Sequence, residues 1–496
     1  MRYYKLTVSS FVALVYFNTL SASNHEIQPV TGIVTTYLNY ASKLAEHECL
    51  VITAAIKRVD PKEQENVVDN LLYLITLDMY GEQQAELIDV ISSIFRQGKR
   101  NVVIKQSKRL ITDAMNGYHR AGIVRYLQNI DDRDDVIDHT LTLLTDKMLG
   151  YSRLDVLKSI ARTDKDDRRE FVNNIKRFEL DNESGLPYIM DAVERIRKYD
   201  QDYIITQSLL LLDKHMSGWD QSIVIDAVDD LADKRRKDVV ALSFRYITPG
   251  MNGANRVRVI NIIDRIIETD RDHVVDTAAR LVKQEMSGDG YGWVYVLEFI
   301  AKTLKIDRDR FVETIQRFKL NNDSGLPYII DAVERIHKDN QDDIITKALT
   351  LITPDMNGQD QSLVIDAVDS INRAKLEDVV EKAWRYITPN MSGDNRASVI
   401  KILEETIEDR AHVVGIAKRL VSQSMNGDER IQVLKIAKTV DRNDRNAFVN
   451  NFKELITYET TNSDRIAIMD ELAKISADKR DVYVARRLSK PNPDDP

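Results

Sequence analysis

Arginine recurs at one register of this 496-residue chain. Counting six residues back from the methionine of a recurring Met-x-Gly motif gives Arg109, Arg245, Arg280, Arg385 and Arg419. On a helix that register lies roughly opposite the apolar face, so these guanidinium groups are expected in solvent, on one side of the molecule. There they can offer forked donors to the carboxylates of an acidic peptide or protein, or else pair with acids of a neighbouring segment. A second group is "GDGYGWVYV" at Gly288–Val296, where Tyr291, Trp293 and Tyr295 cluster among three glycines. Exposed, these rings form a binding hot spot for a protein or a stacking platform for sugars; turned inward, they are packing.

Other chemistry finds no foothold. "DDRDD" at Asp131–Asp135 and "DNESG" at Asp181–Gly185 do not fit a calcium loop, which needs alternating acids, a central glycine and a distal glutamate. The eight histidines are scattered, without the paired spacing of a zinc site. No nucleophile elbow or P-loop occurs, and the glycines near 290 follow no strand. Cys49 is the one cysteine, which leaves no intrachain disulfide and no thiolate zinc site. We expect no catalytic residue, metal or cofactor, and no enzyme. The balance of 70 basic against 79 acidic residues, −9 in all, gives no general attraction to nucleic acid or anionic membrane.

The elements that position these residues are repeats. Glycines close Met-x-Gly, or "ESG" and "DSG", at 81, 117, 150, 185, 218, 253, 288, 325, 358, 393 and 427, a period near 35. Between Gly253 and Gly288, Val259, Ile260, Ile263, Ile266 and Ile267 trace one helical face, and Val274, Val275, Ala278, Ala279, Leu281, Val282 and Met286 trace a second. Asp272 is placed to cap the second helix, and the glycine is expected to end it in a left-handed conformation. Each unit is thus two antiparallel amphipathic helices that bury their apolar faces only by stacking. A longer duplication overlies this: Val172–Thr206 and Val312–Thr346 match at 24 of 35 positions. The underlying block is four units, about 140 residues long.

The expected fold is all-α, an α-solenoid or superhelix of about thirteen two-helix repeats and about 26 helices. Its parts are a diverged block (27–165), two close copies (166–305 and 306–444), a terminal cap unit (445–488) and a disordered tail (489–496). The chain resembles HEAT- or armadillo-type solenoids over nearly all of residues 24–488, in architecture and not in any signature. That resemblance implies a protein-binding scaffold. "MRYYK", the apolar stretch Leu6–Leu20 and "SAS" at Ser21–Ser23 have the pattern of a secretory signal peptide cleaved near Ser23. Cleavage removes Arg2 and Lys5, so the mature charge becomes −9 − 2 = −11. The expectation is an exported monomer, secreted or periplasmic and not inserted in a membrane, that binds a protein along an extended helical surface. The rival readings are a glycan- or envelope-associated structural protein and a nucleic-acid-binding repeat protein.

Overall fold

The computed structural model describes residues 46–60, 62–72, 74–76, 79–96, 102–180, 183–282, 290–320, 323–406 and 409–489. The expected signal peptide and nearly all of the tail lie outside the described residues, as does Gly288. The chain divides into two compact units, residues 1–244 and 245–496. Among the described residues there are 26 α-helices and no strand. They alternate as a first (A) and a second (B) helix, making thirteen pairs.

In the first unit the A helices Glu46–Lys57, Gly81–Arg96, Gly117–Gln128, Gly150–Arg162, Leu186–Arg195 and Gly218–Asp229 pack each against the next. Their B helices, such as Arg133–Leu141 and Arg168–Ile175, form a second layer. The second unit repeats the arrangement from Gly253–Arg265 to Asn462–Ala473, with B helices from Arg271–Ala279 to Ala477–Leu488. Each unit is an all-α, solenoid-like stack.

The core follows the apolar periodicity. Val259, Ile260 and Ile263 are buried from one helix, and Val274, Val275 and Ala278 from its partner. Each of the valines and isoleucines stabilises the stack by about 1.5–3 kcal/mol. The apolar face stops earlier than its spacing predicts, because the A helix ends at Arg265 and leaves Ile267 exposed.

The motif glycine is not a helix end. It is the first residue of the next A helix in Gly81–Arg96, Gly117–Gln128, Gly150–Arg162, Gly218–Asp229, Gly253–Arg265, Gly358–Asp369, Gly393–Glu405 and Gly427–Thr439. The middle residue of the motif is the N-cap. Asn116, Ser217, Asn252, Asn357, Ser392 and Asn426 each accept the backbone N–H three residues on. Among the described glycines only Gly290 has positive φ, so left-handed geometry is not what the motif requires. It requires close approach. A Cβ on Gly81 would lie 2.7 Å from Glu48 Cα, and one on Gly218 or Gly393 would overlap the backbone of Gly185 or Asp360. Consecutive A helices therefore touch backbone to backbone at their starts. Asp272 is likewise not the cap of its helix. That position is Asp270, and Asp272 sits one residue inside the first turn.

Two kinds of buried side chain recur at the turns and hold them. One stands three residues after the motif glycine: Arg120, Arg153, Gln221, Arg256, Gln361 and Arg396. Arg396 donates from Nε to the Met391 carbonyl (2.9 Å), from Nη1 to the Leu351 carbonyl and from Nη2 to the Pro389 carbonyl (2.9 Å). Arg120 makes the same set to Met115, Leu74 and Thr112. The fork thus ties the turn before its own helix to the C-terminal end of the B helix one pair further back, where carbonyls have no helical partner. The second clamp stands near the start of the B helix. Arg271 donates to the Ile263 and Ile266 carbonyls, both 3.1 Å away, and Arg308 repeats this on Ile300 and Thr303. Arg308 also holds Asp270 of the preceding pair with both carboxylate oxygens, at 2.9 and 2.8 Å.

Replacing Arg396 by Met strands several buried carbonyls, each costing about 1–3 kcal/mol. We expect a clear fall in the urea midpoint, while Arg385→Met, an exposed change in the preceding pair, stays within about 0.5 kcal/mol. The guanidinium of Arg308 holds the Asp270 carboxyl below its usual range. A depressed folded-state pKa gives stability that is present above the unfolded value near 4 and is lost as pH falls through the folded value. Asp270→Asn is therefore expected to melt below wild type at pH 7, and the two melting curves should converge in acid.

Candidate interaction surfaces

The predicted arginine column exists, but its members are engaged. Arg245 pairs with Asp272 at 2.9 Å and with Asp276, on the next B helix. Arg109 reaches Asp138 and Asp134 in the same way, and Arg280 reaches Asp309. Arg419 donates to Asn446 (2.8 Å), and Arg385 turns back to Glu381 in its own helix. The column has two members the methionine register missed, since their units carry "ESG" and "DSG". Arg177 pairs with Asp202 at 2.7 Å, and Arg317 with Asp342 at 2.8 Å.

The acid side of this ladder has a simple origin. It is the residue directly after the B-helix clamp, as in Arg133-Asp134, Gln201-Asp202, Arg271-Asp272, Arg308-Asp309 and Gln341-Asp342. There an acid also faces the positive end of its helix. Where that residue is Ala411, the facing Arg385 has no acid to meet and folds back on Glu381. The ladder is therefore an inter-repeat tether, with exposed pairs worth at most about 1 kcal/mol each. It presents no rank of free donors.

The Tyr291–Tyr295 cluster splits. Tyr291 is exposed, with the Arg258 guanidinium 5.7 Å from its ring centre. Trp293 is core, only 7% exposed and edge-on to Tyr246 at 5.9 Å, and its carbonyl accepts the Tyr246 hydroxyl at 2.7 Å. Tyr295 is half-buried and donates to Asp331. Burial and that acid raise its pKa well above the usual phenol value. Alternation along the helix start sends the middle ring inward, so the three never form one exposed platform.

Another aromatic row went unread in the sequence. In the first unit, Tyr118, Tyr151 and Trp219 each follow the motif glycine, and Tyr188 lies three residues after Gly185. All four are about half exposed, Trp219 the most at 57%. The glycine contacts set these helix starts side by side, so Tyr188 and Trp219 meet edge to face at 5.7 Å and Tyr151 lies 6.2 Å from His119. The sequence signal was the aromatic after glycine, visible once that glycine is read as a helix start.

Each unit also has a cleft between neighbouring pairs. The larger, about 450 Å³, lies in the second unit among Tyr295, Phe299, Leu304, Phe311, Glu334 and Ile336. Among the described residues no group of His, Cys, Asp and Glu could hold a metal ion, and no helix is long and apolar enough to cross a membrane. No protein-family model, no curated protein and no solved structure matches the chain.

The placement of Trp293 makes a direct prediction. Trp293→Ala should lower stability by about 3–5 kcal/mol, the cost of emptying a large aromatic site. Tyr291→Ala should change it by less than about 1 kcal/mol. Denaturant unfolding of the two variants separates core from surface.

Proposed function

We propose that this chain is an exported, non-catalytic repeat scaffold of HEAT- or armadillo-like type that binds a protein partner along its helical surface. The observation that supports it is the exposed row Tyr118, Tyr151, Tyr188 and Trp219 in the first unit. Large amphipathic rings on rigid helix starts are what protein interfaces use as anchors, because little side-chain entropy is lost on contact. The arginine column does not share that role, since acids of the chain itself, and for Arg419 the Asn446 amide, occupy it. Export rests on the residues before Ser23, and the acidic character of the chain favours a partner that is not nucleic acid. The glycan reading loses its middle ring with Trp293 in the core, but the same exposed row could stack on sugars.

Affinity capture from the native environment, comparing wild type with the double variant Tyr188→Ala/Trp219→Ala, tests this. We expect at least one protein whose recovery falls by about tenfold or more, equal to roughly 1.4 kcal/mol. Recovery should be indifferent to Arg245→Gln. Equal recovery of every protein with the aromatic variant would sink the reading. Loss of glycan-array binding without loss of any protein would move it to the sugar class.

A further inference from the structure

The two clefts are copies of one another. Thr303, Asp307, Phe311, Glu334, Ile336, Lys338 and Gln341 in the second unit repeat Thr163, Asp167, Phe171, Glu194, Ile196, Lys198 and Gln201, each 140 residues earlier. The charged pair on the rim is copied too, Lys338 with Asp307 at 2.7 Å and Lys198 with Asp167. The copies differ in what lies over the glutamate. In the first unit Arg162 is laid across Glu194, with Nε and Nη2 donating to its two oxygens at 2.9 and 2.7 Å, and Ser159 Oγ adds a bond at 3.2 Å. That guanidinium fills the space, and the cleft measures about 170 Å³.

In the second unit the same positions read Lys302 and Phe299. Lys302 pairs with Glu298 at 2.8 Å, and among the described residues no ion pair reaches Glu334. Phe299 brings a ring where Ser159 brought a hydroxyl, and it stacks on Phe311 at 4.6 Å. Tyr295 and Leu304 stand where the first unit has Asp155 and Asp164. The cleft is thereby more than twice as large, with a floor of aromatic rings below one uncommitted carboxylate. Lys302 and Lys338 are held by Glu298 and Asp307, and Arg310 donates to the Lys338 carbonyl at 3.2 Å.

We propose that the second-unit cleft seats an arginine side chain of a partner protein, with Glu334 as its forked acceptor and Phe299, Phe311 and Tyr295 as the surface under its guanidinium plane. The first unit supplies the template, an arginine of the chain itself held by the matching glutamate in that way. Guanidinium suits this site better than ammonium, because it is planar, stacks on rings and meets a carboxylate with two parallel bonds. A volume of about 450 Å³ lies within the range of side-chain and small-ligand pockets. The inference deepens the partner-binding reading by naming what one surface recognises.

The test uses the full chain and the probe N-acetyl-arginine amide, followed by NMR or calorimetric titration. Saturable binding is expected, with the isosteric neutral N-acetyl-citrulline amide weaker by about tenfold, the loss of one charged pair. Glu334→Gln should abolish the difference between the two probes, and Glu194→Gln should leave it intact. Lys302→Arg combined with Phe299→Ser rebuilds the first-unit arrangement and should block the probe. Equal binding of the citrulline probe, undiminished binding to Glu334→Gln, or preference for N-acetyl-glutamate amide (which would give the site to Arg310) each overturns the proposal. Binding of agmatine in place of the arginine amide, with the amide excluded, would overturn the assignment to a protein side chain. Failure here leaves the aromatic-row capture untouched, since those rings lie in the first unit.

Discussion

A turn between two helices leaves carbonyl oxygens that no helix can satisfy, and this chain has about two dozen such turns to bury. The clamps answer that constraint. A guanidinium fork spreads over three carbonyls at once, as Arg396 does with Met391, Leu351 and Pro389, so one side chain closes a loop and fastens it to the end of the B helix one pair back. Glutamine does the same with fewer donors. Gln361 reaches the Met356 and Lys319 carbonyls at 2.8 and 2.9 Å, in a pair where arginine is missing from that register. Burying a cation without a counter-ion is costly, and burial lowers the Arg396 pKa accordingly. The arrangement is tolerable because its donors meet carbonyl oxygens of the turn and, at Leu351, one at the negatively polarised end of a B helix.

Around that joint the remaining interactions divide by layer. The A helices are set by close contact at their glycines, mostly with neighbouring backbone and at Gly150 and Gly427 with the His119 and Asn395 side chains, which leaves no room for a Cβ. The B helices are set by the Arg–Asp ladder, which is exposed and weak. Apolar burial between the layers supplies the bulk of the stability. Specific register therefore comes from the contacts that tolerate least change, while magnitude comes from the ones that tolerate most.

Much of this was legible in the sequence. The helix count and pairing, the all-α class and the apolar faces through Ile263 and Val274 follow from spacing alone. The phase was not. Met-x-Gly reads equally well as a helix end or a helix start, and the decisive fact, that Gly81 lies against Glu48 of the preceding A helix, is a long-range contact with no local signature. Shifting the glycine by that one boundary places aromatics at helix starts. The arginine column is legible, yet its particular partners are not, because all but Arg385's sit on the following B helix, 25 to 31 residues away. The buried arginines were overlooked for a plain reason. Composition and periodicity treat arginine as surface, and only the carbonyls of a folded turn give it cause to be inside. HEAT- or armadillo-type kinship stays a resemblance of architecture.

The clamps at the A-helix starts address chiefly main chain. Every residue presents a carbonyl, so a turn can change its letters freely while the joint persists, as "ITPG" before Met251 and "ITDA" before Met115 do beneath Arg256 and Arg120. A connector indifferent to spelling makes its modules interchangeable. Copying a block of four pairs creates new junctions that already fit, and the duplicate is then at liberty to acquire a different face.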